Sequence, residues 1–322
     1  MNPPAPPRGH LNAPDVELQY DSDKRLVEER ALIDGQLHRV EYTYSPDGAL
    51  HTMTSFVGKA IQGPVEVYAP SGHPLQLLRY ANGKLEGESV TFDDKGQLAQ
   101  RLSYRQGVLH GPAKLYLEGH LHATMTYDEG KLQGVMESYH PNGKPSQRAV
   151  YAANVLNGPS VVFTNSGARA RTQNYTNGLL DGLQMDYFPD GQLTQAERSF
   201  KAGKLDGDET TYSADQEVLS VRHWQHGLLE GQALEFYPSG SLLRRSTYLN
   251  GQLHGEDLYF YEPDPPQHAS VPETQRLKKR LVYNRGVLIE GPELFEKQGE
   301  QSRVMQVVEW LTRFIQPTSE RS

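Results

Sequence analysis

Tyr80-Ala81-Asn82-Gly83-Lys84-Leu85-Glu86-Gly87, followed by Phe92, by Gly96-Gln97-Leu98 and by Tyr104, is the stretch from which the fold can be read. Its pattern returns from Tyr104 with Gly107, Leu109, Gly111 and Tyr116, and from Tyr127 with Gly130, Leu132, Gly134 and Tyr139. Later copies start at Tyr151, Tyr175, Phe200, Trp224 and Tyr248. The first-glycine positions are 83, 107, 130, 154, 178, 203, 227 and 251, so the steps are 24, 23, 24, 24, 25, 24 and 24 residues. Asn154 fills that slot once, and asparagine tolerates left-handed backbone better than most residues. A leucine stands two residues before each second glycine, from Leu85 to Leu253, and an aromatic five after it, from Phe92 to Phe260. Four columns held in register over a fixed period mark a stacked repeat array.

Working outward, degraded copies extend the array. Gly35 with Tyr44-Ser45-Pro46-Asp47-Gly48 forms one, and Gly58, Ile61, Gly63 and Tyr68 form the next. Downstream, Tyr283, Gly286, Ile289 and Gly291 resume the pattern after a 35-residue step. The extra residues, about 262–276, are proline-rich and read as a surface loop. The organisation expected is a disordered proline-rich tail over 1–14, a repeat array over 15–301, and a capping helix and tail over 302–322.

Each unit reads turn, strand, turn, strand. Asn82-Gly83, Asn177-Gly178 and Asn250-Gly251 predict tight hairpins, because both residues accept positive φ at little cost. His140-Pro141-Asn142-Gly143, Phe188-Pro189-Asp190-Gly191 and Tyr237-Pro238-Ser239-Gly240 predict the second turn, with proline presetting the first corner. The five to seven residues between turns suit strands. Alternation puts Val90 with Phe92, Val161 with Phe163, Met185 with Tyr187, Leu234 with Phe236 and Leu258 with Phe260 on a face read as buried. Lys114, Glu137 and Thr210 interrupt that face. The other side carries small or polar residues such as Ser89 and Thr91. The fold class is therefore all-β, an elongated single-sheet array of stacked hairpins on the order of 100 Å long. Val304, Val307, Val308, Leu311 and Ile315 follow helical spacing behind Ser302, which predicts a short C-terminal helical cap.

Composition agrees. The 322 residues include 32 Lys+Arg against 40 Asp+Glu, a net charge of −8, with 30 Gly, 18 Tyr and no Cys. An acidic total without a concentrated basic tract disfavours nucleic acid as a partner. Without thiols there is no disulfide framework, cysteine-zinc site or cysteine nucleophile. No stretch reaches the 18–20 apolar residues of a membrane-spanning helix, and the start lacks the apolar run of a secretory signal. The expected location is cytoplasmic if Met1 is native and periplasmic if a leader has been removed.

The unit Tyr-x-Asn-Gly-Lys-Leu-x-Gly-x-x-x-x-Phe-x-x-x-Gly-x-Leu resembles the variant MORN repeat. Long arrays of it, here roughly residues 30 to 300, are similar to the bacterial YwqK-type antitoxin family. That resemblance implies an antitoxin or immunity protein, and the wider MORN class implies scaffolding or membrane-proximal attachment. The motif has no catalytic residues to carry over.

A search for chemistry returns little. His120 and His122 share a strand face but lack a third ligand at zinc spacing, and His110 and His254 share one repeat slot, which turn chemistry explains. Asp21/Asp23 and Asp93/Asp94 fall at turns and read as solvated turn carboxylates. Nucleophile-elbow, Walker-type and dinucleotide glycine motifs are missing. Arg276, Lys278, Lys279 and Arg280 form the one basic cluster, read as a solvated edge in preference to a lipid contact. The ring columns read as packing and not as base-stacking platforms.

What remains is surface. Asp186, Glu209, Glu235 and Asp257 fall on the side read as outer, where earlier units carry Ser89, Thr91, Ala113 and Leu115. They are the candidate partner-binding residues, for a basic partner surface. The expected function is non-enzymatic neutralisation of a cognate toxin or effector by direct contact, without cofactor, metal or nucleic acid. The alternative is a MORN-type scaffold or membrane-proximal adaptor.

Overall fold

The structure, a computed structural model, describes residues 11–263 and 272–297. Most of the proline-rich tail, residues 264–271 of the insertion and the helix expected at 302–315 lie outside the described residues. Strands dominate what is described, and the one helix among these residues is a single turn, Glu273–Arg276. The chain divides into two compact units, up to Gly167 and from Ala168. In the first, the strands from Glu17–Tyr20 to Val155–Phe163 pair antiparallel in chain order. In the second, those from Arg169–Thr176 to Val287–Leu294 do the same.

The turns form as the sequence predicts. Asn82 and Gly83 have φ of 50° and 76°, and Ala153 and Asn154 reach 50° and 71° without any glycine. Two consecutive positive φ values define the mirror-image turn whose twist matches the strands it joins. At the second corner the Gly143 N–H donates to His140 O at 2.9 Å and Gly240 N–H to Tyr237 O at 2.9 Å. Successive hairpins are joined through the leucine column. The backbone oxygen of Leu85 accepts from Gly107 N–H, that of Leu132 from Asn154 N–H, and that of Leu229 from Gly251 N–H.

The second glycine does something the spacing alone does not say. Leu109 pairs with Tyr104 and Ala113 with Leu102, so three residues centred on Gly111 face the single Ser103. Gly111 adopts φ 102° there, and a Cβ on it would meet Ser103 Cβ at 3.2 Å. The second glycine is thus the hub of a bulge that recurs in every full unit.

The register corrects the expected burial. Leu78 faces Ser89 by continuation of the Leu77–Val90 pair, and Ser89 faces Leu102. The first-turn rings, Tyr80 and Tyr104, lie on that same side. Ser89, Ala113, Ala149, Ser160, Gln184, Ala196 and Ala233 on this face are buried, while Val90, Val161 and Met185 opposite are only half-covered. The reason is that a sheet with no second layer buries a residue through its same-face neighbours. Small side chains flanked by rings and leucines are covered, whereas a tall residue stands clear of its surroundings. The face read as buried does form core at two places, where Leu242, Leu258 and Phe260 pack with Leu234, Phe236 and Leu277, and where Val40, Tyr42 and Met53 pack with Tyr44 and Leu50. In the first unit the clusters are Leu26, Val40, Tyr42 and Met53, and Ala113, Ala123 and Met125.

Candidate partner-binding face

The ring-bearing face of the second unit carries a run of charged and amide side chains. Register places Arg171 opposite Asp186, Gln184 opposite Arg198, Arg198 opposite Glu209 and Glu209 opposite Arg222. The side chains join accordingly. Tyr175 OH donates to Gln173 Oε1, Gln173 Nε2 to Gln184 Oε1 at 2.8 Å, and Gln184 Nε2 to Asp186 Oδ2 at 3.2 Å. Asp186 accepts from both Arg171 and Arg198. Arg198 Nε donates to Glu209 Oε1 at 2.8 Å, and Trp224 Nε1 donates to Glu209 Oε2 at 3.1 Å. Arg222 Nη1 completes the chain 3.8 Å from Glu209 Oε2.

A second, separate group follows. Arg244 Nε and Nη2 donate to Asp257 Oδ1 and Oδ2 at 2.7 and 3.1 Å, and its Nη1 lies 3.4 Å from Glu235 Oε1. The same guanidinium sits 5.0 Å from the Tyr259 ring centre, and Lys279 Nζ lies 3.9 Å from that ring. The bonds to Asp257 raise the affinity of Arg244 for its proton above the usual guanidinium value, against the effect of burial. Burial alone would lower that of Arg198, but its bonds to Glu209 and Asp186 outweigh this and raise it.

All four candidate residues therefore share one face, as read, but their setting differs from the expectation. Asp257, Glu209 and Asp186 have side chains only 2, 9 and 15% exposed, whereas Arg171 and Arg222 are 46 and 37% exposed. Over Asp186 and Glu209 the carboxylates form the floor and the guanidiniums the outer layer, so what faces outward there is cationic, whereas Glu235 is more open than its partner Arg244. A shallow depression lined by Arg171, Asp186, Ala196, Arg198 and Thr211 lies over the middle of the run. The sequence reading located the acids and passed over their partners. The signal was available: residues eleven apart across a hairpin, such as Arg198 with Glu209, come face to face once the bulge is counted, and Arg244, opposite Tyr259, reaches Asp257 on the diagonal.

A further column also went unread. The residue after each leucine reaches to the hairpin of the next unit, where Glu86 Oε2 accepts from Gln106 N–H at 2.8 Å. Gln62, Gln133, Asp206 and Glu230 repeat this bond to Asn82, Ala153, His226 and Asn250. In that slot His110 Nδ1 lies 3.2 Å from Asp128 Oδ1, with Glu129 Oε1 at 3.8 Å. These three could ligate a cation, but Asp128 and Glu129 are solvated and Arg105 already pairs with Glu129. The basic cluster is dispersed: Arg280 is held by Glu256, Glu290 and Glu293, and Lys278 and Lys279 lie over Tyr261 and Tyr259. Among the described residues no helix is long and apolar enough to cross a membrane.

The hairpins define the class as a repeat protein, and comparison with known families gives the repeat its name. Residues 85–106, 132–153 and 229–250 match the MORN repeat variant, so the chain carries MORN-type repeats. No curated protein matches the sequence. Among solved structures it is similar to a TcdB2-TccC3-Cdc42 crystal structure at 12% identity and TM-score 0.20, over 75% of this chain and 16% of that one. It is also similar to a porin-like protein from Bacteroides uniformis at 13% identity and TM-score 0.17, over 71% of this chain and 92% of that one. An alternansucrase in complex with isomaltononaose gives 14% identity and TM-score 0.18, over 72% of this chain and 18% of that one. The chain spans less than a fifth of the first of these.

Proposed function

We propose that this chain is a non-enzymatic protein-binding repeat protein, and that its task is to neutralise a cognate toxin or effector by covering it. The observation that carries this reading is the polar run from Arg171 to Arg222. Its carboxylates are consumed by ion pairs and its guanidiniums are held in fixed positions facing outward. Preorganised charges of this kind suit recognition of a surface, because little side-chain freedom is lost on contact. MORN-type repeats are consistent with such a binding scaffold, and repeat arrays commonly bind along an extended face. The membrane-adaptor alternative draws less support, since Arg280 of the basic cluster is already committed to three glutamates.

The test is co-expression with the product of the neighbouring gene. The expected result is that this product arrests growth alone and is tolerated, and co-purified, when this chain is present. A product that is harmless alone, or that stays lethal beside this chain, removes the antitoxin reading.

A further inference from the structure

The geometry points to an acidic, proline-rich, extended segment as the ligand of this face, with a carboxylate at every third residue. This deepens the binding role proposed above and rests on it. Three observations converge. First, the exposed layer over Asp186 and Glu209 is guanidinium: Arg171, Arg198 and Arg222, of which the first and last are the more open. Arg171 makes its ion pair through Nε and Arg222 through Nη1, so donors on each fork stay available to an incoming acid.

Second, Arg198 and Arg222 occupy the same slot of consecutive units, with one strand between theirs. Two strand steps of about 4.8 Å set their backbones about 9.6 Å apart. A polyproline II helix rises about 3.1 Å per residue and repeats every three, so its side chains recur on one face about every 9.3 Å. An extended β-strand repeats on one face at about 6.7 Å and fits this interval poorly. Third, the same face carries one ring per unit beside the arginines: Tyr175, Phe200 and Trp224, all half-buried. Aromatic rows are what proline-rich helices dock against. A chain of net charge −8 repels acidic peptides in general, so capture of one reports on this face in particular.

The experiment is fluorescence anisotropy of a labelled repeating Glu-Pro-Pro peptide with the full chain. It is compared with Lys-Pro-Pro, with a Glu-Pro-Pro-Pro repeat of equal charge, and with an oligothymidine of matched length. Glu-Pro-Pro should bind best and weaken with added salt. The substitution Arg222→Gln should weaken it about tenfold, the worth of one charge-assisted hydrogen bond, and Arg171→Gln, at a position two residues out of line with Arg198 and Arg222, should weaken it by less. Neither strands a carboxylate, because Asp186 and Glu209 both keep Arg198, and an unchanged melting temperature checks this. Arg101→Gln, in the first unit, should leave binding as it is. The inference falls if Glu-Pro-Pro does not bind, if the two arginine variants bind it unchanged, if the four-residue spacing binds equally well, or if oligothymidine binds more tightly. Should the co-expressed partner still be neutralised while Glu-Pro-Pro is ignored, this inference fails and the proposed function stands.

Discussion

Asp257 is the most deeply placed carboxylate of the polar face, and Arg244 meets both of its oxygens. Removing one partner of such a pair leaves a charge that water cannot reach. Arg244→Met is expected to destabilise the second unit by about 3–5 kcal/mol, and adding Asp257→Leu to restore most of it. Urea unfolding reads this directly, and equal midpoints for wild type and Arg244→Met would contradict the burial argument. Arg171→Gln should cost less than about 1 kcal/mol, because that side chain is half-exposed and screened. Glycine at the bulge makes a second residue-scale case. At Gly207 φ is 109° and a Cβ would approach Ser199 Cβ at 3.0 Å, whereas at Gly35 nothing lies within 4 Å. Gly207→Ala is therefore expected to cost about 1–3 kcal/mol and Gly35→Ala about 1 kcal/mol. Thermal or urea melts that rank the two the other way would show that the bulge is not where the strain resides.

At the scale of the element, the unit is a hairpin whose first turn is anchored to the preceding hairpin by two bonds. One is made by the backbone, from Gly107 N–H to Leu85 O at 2.8 Å, and the other by a side chain, from Gln106 N–H to Glu86 Oε2 at 2.8 Å. The leucine column therefore has a second role besides packing, and the column after it caps the next turn. Glu86→Ala should accelerate amide exchange at Gln106 and leave Ala153, which is capped by Gln133, unchanged. Equal protection at Gln106 in the variant would mean that the side-chain bond adds nothing to the turn. The hairpin turns themselves were legible from Asn-Gly pairs alone, since positive φ at both corners is a local demand. The bulge was not. The second glycine could be located in the sequence, but its conformation follows from pairing three residues against one, which is a property of two strands together.

At the scale of the whole molecule, rings are the recurring expense of desolvation. Burial raises the phenol pKa of Tyr42, Tyr44, Tyr139, Tyr212, Tyr237 and Tyr259, and brings Tyr68, bonded to Glu66, up to about 12. A group whose folded pKa lies above its unfolded value near 10 favours the folded chain while it stays protonated. That contribution is fully present below pH 10 and is lost as pH climbs through the folded values. Stability should thus fall from about pH 10 toward 12, with phenolate absorbance near 295 nm rising late and together with unfolding. An ordinary, non-cooperative titration centred near 10 would mean that these rings are not covered as described.

The repeat, its period, both turns and the all-β class could be read from the residues alone, because each rests on local backbone demands repeated in register. So could the placing of Asp186, Glu209, Glu235 and Asp257 on one face, since alternation along a strand is local as well. Which face is covered, and which charges stand outermost, depends on how the strands pack side by side. Alternation separates two faces without saying which has taller neighbours, so Ser160 and Gln184 went under while Val161 and Met185 stayed half-open. The sign of the presented charge likewise depends on cross-strand register, which set Arg198 over Asp186 and Glu209 and turned these two acids into the floor beneath guanidiniums.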